Sequence, residues 1–281
     1  MNKLLLSLIT LLLAAGCTEK INVSLDSSYI RLVVDGGITN DSLQRSVSIS
    51  TSASYFYNQP PPMVSHAIVT LTNGSFPDTL KEELPGRPGV YSLDSNFRGV
   101  IDKTYSLDIK LPEAIGTHTE YTATCKIMKV ARLDSIKTVF DPSLGKNGHW
   151  KINIYAMEPG DEINFYLLKY YLNGVLMSDS IQKWRTTDDK YFNGSYIKGL
   201  TAFYINNGNS WETLHPGDTV MVQMSSITKE YYNFIQEVQQ AGIQIPFFSG
   251  PPANVEGNIS NGGVGFFAAY SNSFAKVIIP K

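Results

Sequence analysis

Short β-type runs, each closed by a turn signal, recur along this chain and leave little sequence for anything but sheets. The clearest covers 46–51, where Val47, Ile49 and Thr51 fall on one side and Ser46, Ser48 and Ser50 on the other. Successive side chains of an extended backbone point to opposite faces, so a two-residue period marks a half-buried strand. The same reading predicts strands over 30–36, 47–52, 67–72, 79–83, 90–93, 105–111 and 121–130. Asn73-Gly74, Pro85-Gly86 and Pro88-Gly89 are expected to be turns between them. Seven short strands with no helix signal predict a mostly β fold that opens with an immunoglobulin-like β-sandwich domain over 29–130.

A second β-rich domain is expected over 131–281, with strands at 136–140, 151–156, 163–172, 177–182, 200–205 and 220–224. Asn173-Gly174 between two of these runs is a hairpin signal. Glu158-Pro159-Gly160-Asp161 and His215-Pro216-Gly217-Asp218 read as turns that each lead into a strand. One stretch changes period. Tyr231, Phe234, Ile235 and Val238 fall at i, i+3, i+4 and i+7, which predicts one helix over about 227–241. Ser226 or Thr228 can cap its start and Gly242 suits its end. The aromatic stripe is expected to pack on a sheet, so that Phe234→Ala costs about 3–5 kcal/mol.

The first residues are not part of the fold. Lys3, the apolar run 4–13 and Ala14-Ala15-Gly16 have the order of a secretory signal peptide, assigned to 1–16. The apolar run is also too short to span a bilayer, which takes about 20 residues. Cys17 follows directly and resembles the lipidated cysteine of a bacterial lipobox, although Ala14 stands where leucine is usual. The resemblance implies a lipidated mature N-terminus with a tether over 17–28. The bilayer is then the partner of Cys17 through its acyl chains, each buried methylene contributing about 0.8 kcal/mol. The polar residues Thr18-Glu19-Lys20 do not say which membrane face the protein occupies.

Composition removes several function classes. A formal charge of −2 offers no basic field for nucleic acid. No nucleophile elbow, His-Glu-x-x-His, paired Cys-x-x-Cys or acidic calcium loop occurs, so no catalytic residue, metal ligand or cofactor is assigned. His66, His118, His149 and His215 are scattered singly. Cys125 lies in an alternating strand and reads as a small buried hydrophobe. Gly262-Gly263-Val264-Gly265 lacks the Lys-Ser/Thr and helix of a phosphate cradle, which leaves a tight turn or close backbone approach. The pairs Glu82-Glu83 and Asp188-Asp189 read as solvated charges, and two distant carboxylates could still meet as a glycosidase pair. Tyr55, Phe56 and Tyr57 beside Pro60, Pro61 and Pro62 form the candidate binding loop, a rigid aromatic platform for a partner or a sugar.

Several segments together resemble a Bacteroidota lipoprotein family called domain of unknown function 4249. They are the mature start over 26–38, Tyr55-Phe-Tyr-Asn-Gln-Pro60, the run 64–71, the segment 227–234 and the long motif over 246–271. The resemblance implies an outer-membrane, lipid-anchored protein acting beside a TonB-dependent receptor as its partner in nutrient uptake. It brings no catalytic residues. A second resemblance concerns modification. Seven of the 14 aspartates precede Ser or Thr, against about two expected from composition. Five continue with an aliphatic residue, as in the O-glycosylation acceptors of exported Bacteroidota proteins; the implied sites are Ser42, Thr79, Ser135, Ser180 and Thr219. Three readings of function stay open: a non-catalytic binding or accessory subunit, a structural envelope lipoprotein, and a hydrolase with an unrecognised site.

Overall fold

Among the described residues the first half folds as seven strands: β1 (Leu32–Thr39), β2 (Arg45–Thr51), β3 (Ile68–Thr72), β4 (Asp78–Glu83), β5 (Arg87–Ser92), β6 (Thr104–Ile115) and β7 (His118–Lys126). The structure, a computed structural model, describes residues 30–53, 59–75, 77–208, 212–241 and 255–280. The signal peptide, Cys17 with its tether, Tyr55, Phe56, Tyr57 and residues 246–254 of the long C-terminal motif lie outside the described residues. The seven strands follow one antiparallel path, β1-β2-β5-β4-β3-β6-β7. Alternation places the side chains as expected. Val47 and Ile49 are fully buried with Leu32, Val34, Leu107 and Ile109, while Ser46, Ser48 and Ser50 stay partly open.

One turn expectation fails. Pro85-Gly86 does turn the chain between β4 and β5, but Pro88-Gly89 lies inside β5. The strand tolerates Pro88 because β5 pairs with β2 only from Val90 to Ser92, and on the β4 side Pro88 falls in the bulge between the Glu82↔Tyr91 and Glu83↔Arg87 pairs.

The second half supplies β8 (Leu133–Asp141), β9 (His149–Met157), β10 (Phe165–Leu172), β11 (Val175–Leu176), β12 (Arg185–Asp188), β13 (Tyr196–Asn206), β14 (Thr219–Ile227) and β15 (Val264–Ile278). Strands β13-β9-β8 make a separate three-stranded sheet. Strands β10, β14 and β15 instead extend the first sheet. The fold is therefore mostly β, with a large sheet and a smaller one. The Asn173-Gly174 hairpin forms between β10 and β11, both residues at positive φ. The strand expected over 177–182 does not. Strand β12 takes that edge of β10 over Phe165–Leu168, so the chain between them arches away and ends in a single 3-10 turn, Ile181–Lys183.

Strand β15 joins the two halves. Its first part runs parallel to β1, from Val33↔Val264 to Thr39↔Tyr270, and its second part pairs antiparallel with β14. The parallel junction is tight. A Cβ on Gly37 would stand 2.0 Å from the Ala268 carbonyl oxygen, and one on Gly265 would stand 2.0 Å from that of Val34. Gly265 also holds φ +95°, a conformation L side chains rarely adopt. A polar ladder crosses the junction. Asn272 donates to Asp41 at 2.8 Å, Ser225 and Gln223 donate to Asn272 at 2.6 and 3.0 Å, and the Tyr171 hydroxyl donates to Gln223 at 2.8 Å.

The other edge of β15 is finished by side chains. The Asn258 amide accepts from the Phe267 N–H at 2.9 Å and donates to its carbonyl at 2.8 Å and to that of Thr124 at 3.0 Å. Cys125 is buried as expected, and its sulfur also accepts from the Ala269 N–H at 3.2 Å. Burial pushes its thiol up to about 11. The one helix among the described residues, α1 (Lys229–Ala241), begins where Thr228, rather than Ser226, accepts the Tyr231 N–H. Its buried anchors are Tyr231, whose ring centroid lies 4.8 Å from that of Phe266, and Ile235. Phe234 is only partly buried, so the largest truncation cost belongs to Ile235 and Tyr231 instead.

Candidate functional site

The clamp between α1 and the strap that leads into β12 builds an open groove. Gln239 on α1 donates its amide to the carbonyls of Ile181 and Trp184 at 2.7 and 2.9 Å, and Gln182 reaches back to that of Val238 at 3.3 Å. These bonds satisfy the carbonyls of a short irregular segment and fix the Trp184 backbone. The Trp184 indole N–H donates to the Ser178 carbonyl at 3.1 Å, and Lys169 places its ammonium 3.8 Å from the ring centre. Burial pushes the Lys169 amine down to about 8, against the opposing charge of Asp35.

Beside Trp184 the groove encloses about 400 Å³, with Phe203 and Tyr204 of β13 among its walls and Arg185 and Gln182 among its polar groups. Phe203 faces the core, whereas Tyr204 is 53% exposed. The bulge of β13 between Thr201 and Phe203 interrupts its regular pairing with β9 just before these two residues. Rigid aromatic surfaces bordered by guanidinium and amide groups suit a polar ligand with an apolar face, such as a sugar ring, or an aromatic side chain of a partner. Trp184 and Tyr204 were not singled out in the sequence: Tyr204 falls inside the strand expected at 200–205 and reads there as an ordinary strand tyrosine, and the only signal for Trp184 was a tryptophan among the polar residues Gln182, Lys183 and Arg185.

Among the described residues, the candidate loop prolines and the candidate glycosylation sites lie on separate elements. Pro60, Pro61 and Pro62 are exposed, and the Pro62 carbonyl accepts the Thr51 N–H at 2.9 Å while Val64 donates to Ile49 at 2.9 Å. The prolines thus run into a short edge segment along β2, where their missing N–H groups are not required. Ser42, Thr79, Ser135 and Ser180 are exposed and Thr219 is partly buried, each on a different strand or loop. Two of the preceding aspartates shape local turns. Asp41 accepts from Thr39 and the Leu43 N–H, and Asp218 accepts from the His215 N–H and Asn173.

Two acidic residues expected in solvent are not there. Glu82 accepts the N–H groups of Gly89 and His66 at 2.8 and 2.9 Å. Desolvation opposes its charge, but those donors outweigh it and hold the carboxyl below the usual range. Asp189 is 2% exposed, as is Glu158. The Tyr166 hydroxyl donates to Glu158 at 2.7 Å and the Asn164 amide to Asp189 at 3.3 Å. The alternation of β9 explains Glu158, since Ile152, Ile154, Ala156 and then residue 158 share the inner face. The following Pro159-Gly160 disguised it as part of an exposed turn. These two carboxyls do converge, but the cavity beside them has space for about one water molecule and admits no sugar ring. Among the described residues no group of three or more His, Cys, Asp or Glu side chains is placed to hold a metal ion, and no helix is long and apolar enough to cross a membrane.

The family model described as "Domain of unknown function (DUF4249)" matches residues 18–274 of the chain. No curated protein matches it. The chain therefore belongs to the DUF4249 family.

Proposed function

We propose that this DUF4249 member is an outer-membrane lipoprotein, tethered through Cys17, that serves TonB-dependent nutrient uptake as a non-catalytic binding or docking subunit. The observation that carries the reading is the groove beside Trp184 and Tyr204, which is open, aromatic and fixed by hydrogen bonds from the Gln239 side chain of α1 to the carbonyls of Ile181 and Trp184. A preformed site of this kind binds without paying to order a loop. The lipobox-like start over 14–17 supports the anchor, and the exposed Ser42, Thr79, Ser135 and Ser180 leave room for O-glycosylation.

The test is extraction of the native protein from outer membranes, followed by identification of what co-purifies. A TonB-dependent receptor in the complex is the expected result, with Cys17→Ala moving the protein out of the membrane fraction. Tyr204→Ala combined with Arg185→Ala is expected to weaken the association. A native protein that co-purifies with no receptor and releases no bound nutrient would instead favour a structural envelope role.

A further inference from the structure

Glu158 and Asp189 are the two carboxyl side chains that are fully buried among the described residues. They close the space between two segments, 158–164 and 188–195, that hold each other through the backbone. Glu158 donates its N–H to Ser195 at 3.1 Å, Gly194 to Pro159 at 3.3 Å, and Asp189 to Asn164 at 3.2 Å. The two carboxyls line one small cavity, and Oδ1 of Asp189 has no hydrogen-bond partner there.

The groups facing this cavity supply no counter-charge. Beyond Glu158 at the end of β9, β10 contributes the Tyr166 phenol and β12 contributes Asp188 with the adjoining Asp189. Strands β13 and β14 contribute only Ile197, Leu200 and Met224. Among the described residues, no lysine, arginine or histidine lines it. Two carboxylates in this enclosure have one neutral donor each, the Tyr166 hydroxyl and the Asn164 amide, and no cation or bulk water to offset the repulsion between two charges. A hard cation would answer the charge, but calcium asks for six to eight oxygen ligands and magnesium for about six. Two carboxylates and one phenol beside a space for a single water fall short of either. One proton meets the need, because it turns two repelling acceptors into a donor and an acceptor.

We propose that Glu158 and Asp189 form a proton-binding site, the folded protein holding one proton between them, so that its loss loosens the contact between segments 158–164 and 188–195. The direction of the Glu158 shift is consistent with this. Burial pushes Glu158 up to about 7, opposed by the Tyr166 hydrogen bond and reinforced by the nearby Asp189 carboxyl. The folded value lies above the ordinary 4.5 of an unfolded glutamate. The stability contributed by Glu158 is therefore fully present below pH 4.5 and is lost as pH rises to about 7, above which it levels off.

The experiment compares the purified wild type with Glu158→Gln in urea unfolding between pH about 4.5 and about 8, with proton release measured at about pH 6. The wild type is expected to release about one proton more per molecule unfolded than the variant, and to lose stability relative to it across the window. Equal release and equal slopes would overturn the proposal. If Glu158→Gln fails to fold, carboxyl 13C titration of the folded wild type decides instead. A Glu158 midpoint near 7 is expected, and one in the ordinary glutamate range contradicts it. Calcium or magnesium that stabilises the wild type at about pH 8, but not an Asp189→Asn variant, would assign the site to a cation and also overturn the proposal.

Discussion

The seven-stranded first half and the three-stranded sheet of the second half enclose cores of different character. The first is built from Leu32, Val34, Ile49, Leu107, Ile109 and their neighbours, and among the described residues its most sheltered carboxyl, Glu82, is only partly buried and takes up backbone N–H groups. The second packs Ile152, Ile154, Leu168 and Val222 beside Glu158, Asp189 and Asn164, and borders the groove at Trp184. A core made only of apolar side chains gains stability from every buried group. A core that keeps two acids gives up some of that stability, and such departures concentrate where a protein binds or responds. Scaffold and site are thus divided between the halves, while β15 makes them mechanically one.

The division can be broken most forcefully at the junction. Phe267→Ala on β15 is expected to cost about 3–5 kcal/mol and Ile154→Ala in the second core about 2–5 kcal/mol. Because β15 pairs with both β1 and β14, urea unfolding of both variants should remain a single transition. Two separate transitions would show that the halves fold independently. Asn258→Ala comes next. It leaves the Phe267 N–H and carbonyl without partners and should cost about 1–3 kcal/mol, read in the same experiment.

Smaller effects sharpen the functional side. Tyr204→Ala should change stability by less than about 0.5 kcal/mol, because its ring is mostly in solvent, yet weaken binding to the native partner. A stability loss as large as that at Ile154 would place Tyr204 with the scaffold. The smallest expected effect is a titration. The Ser143 hydroxyl and then Lys151 hold the half-buried Asp141 carboxyl down at about 2, so its stabilising contribution is present above pH 3.8 and lost as pH falls through about 2. Ser143→Ala should move its carboxyl 13C midpoint upward. An unchanged midpoint would remove the hydroxyl from that account.

The scaffold was largely legible in the sequence, and the candidate site largely was not. Alternation at Val47 and Ile49 and the Asn173-Gly174 hairpin are local signals, and both appear where expected. The helix was also local, though its deepest anchor moved from Phe234 to Ile235 because the depth of burial depends on the sheet beneath. The failures share a cause. The parallel pairing of β1 with β15, the replacement of the 177–182 strand by β12, and the meeting of Glu158 with Asp189 depend on partners far apart in the chain. Glu158 was legible in principle, since the inner-face alternation of β9 runs on to it. Its neighbour Pro159 drew attention to a turn instead.

Hydrogen exchange on the protein extracted with its native membrane partners, compared with the purified free protein, tests most directly the claim that binding belongs to the second half. The account predicts added protection in 180–186, around Phe203 and Tyr204, and near Gln239. Added protection confined to β2–β7 and the 59–64 segment, with 180–186 unchanged, would contradict it.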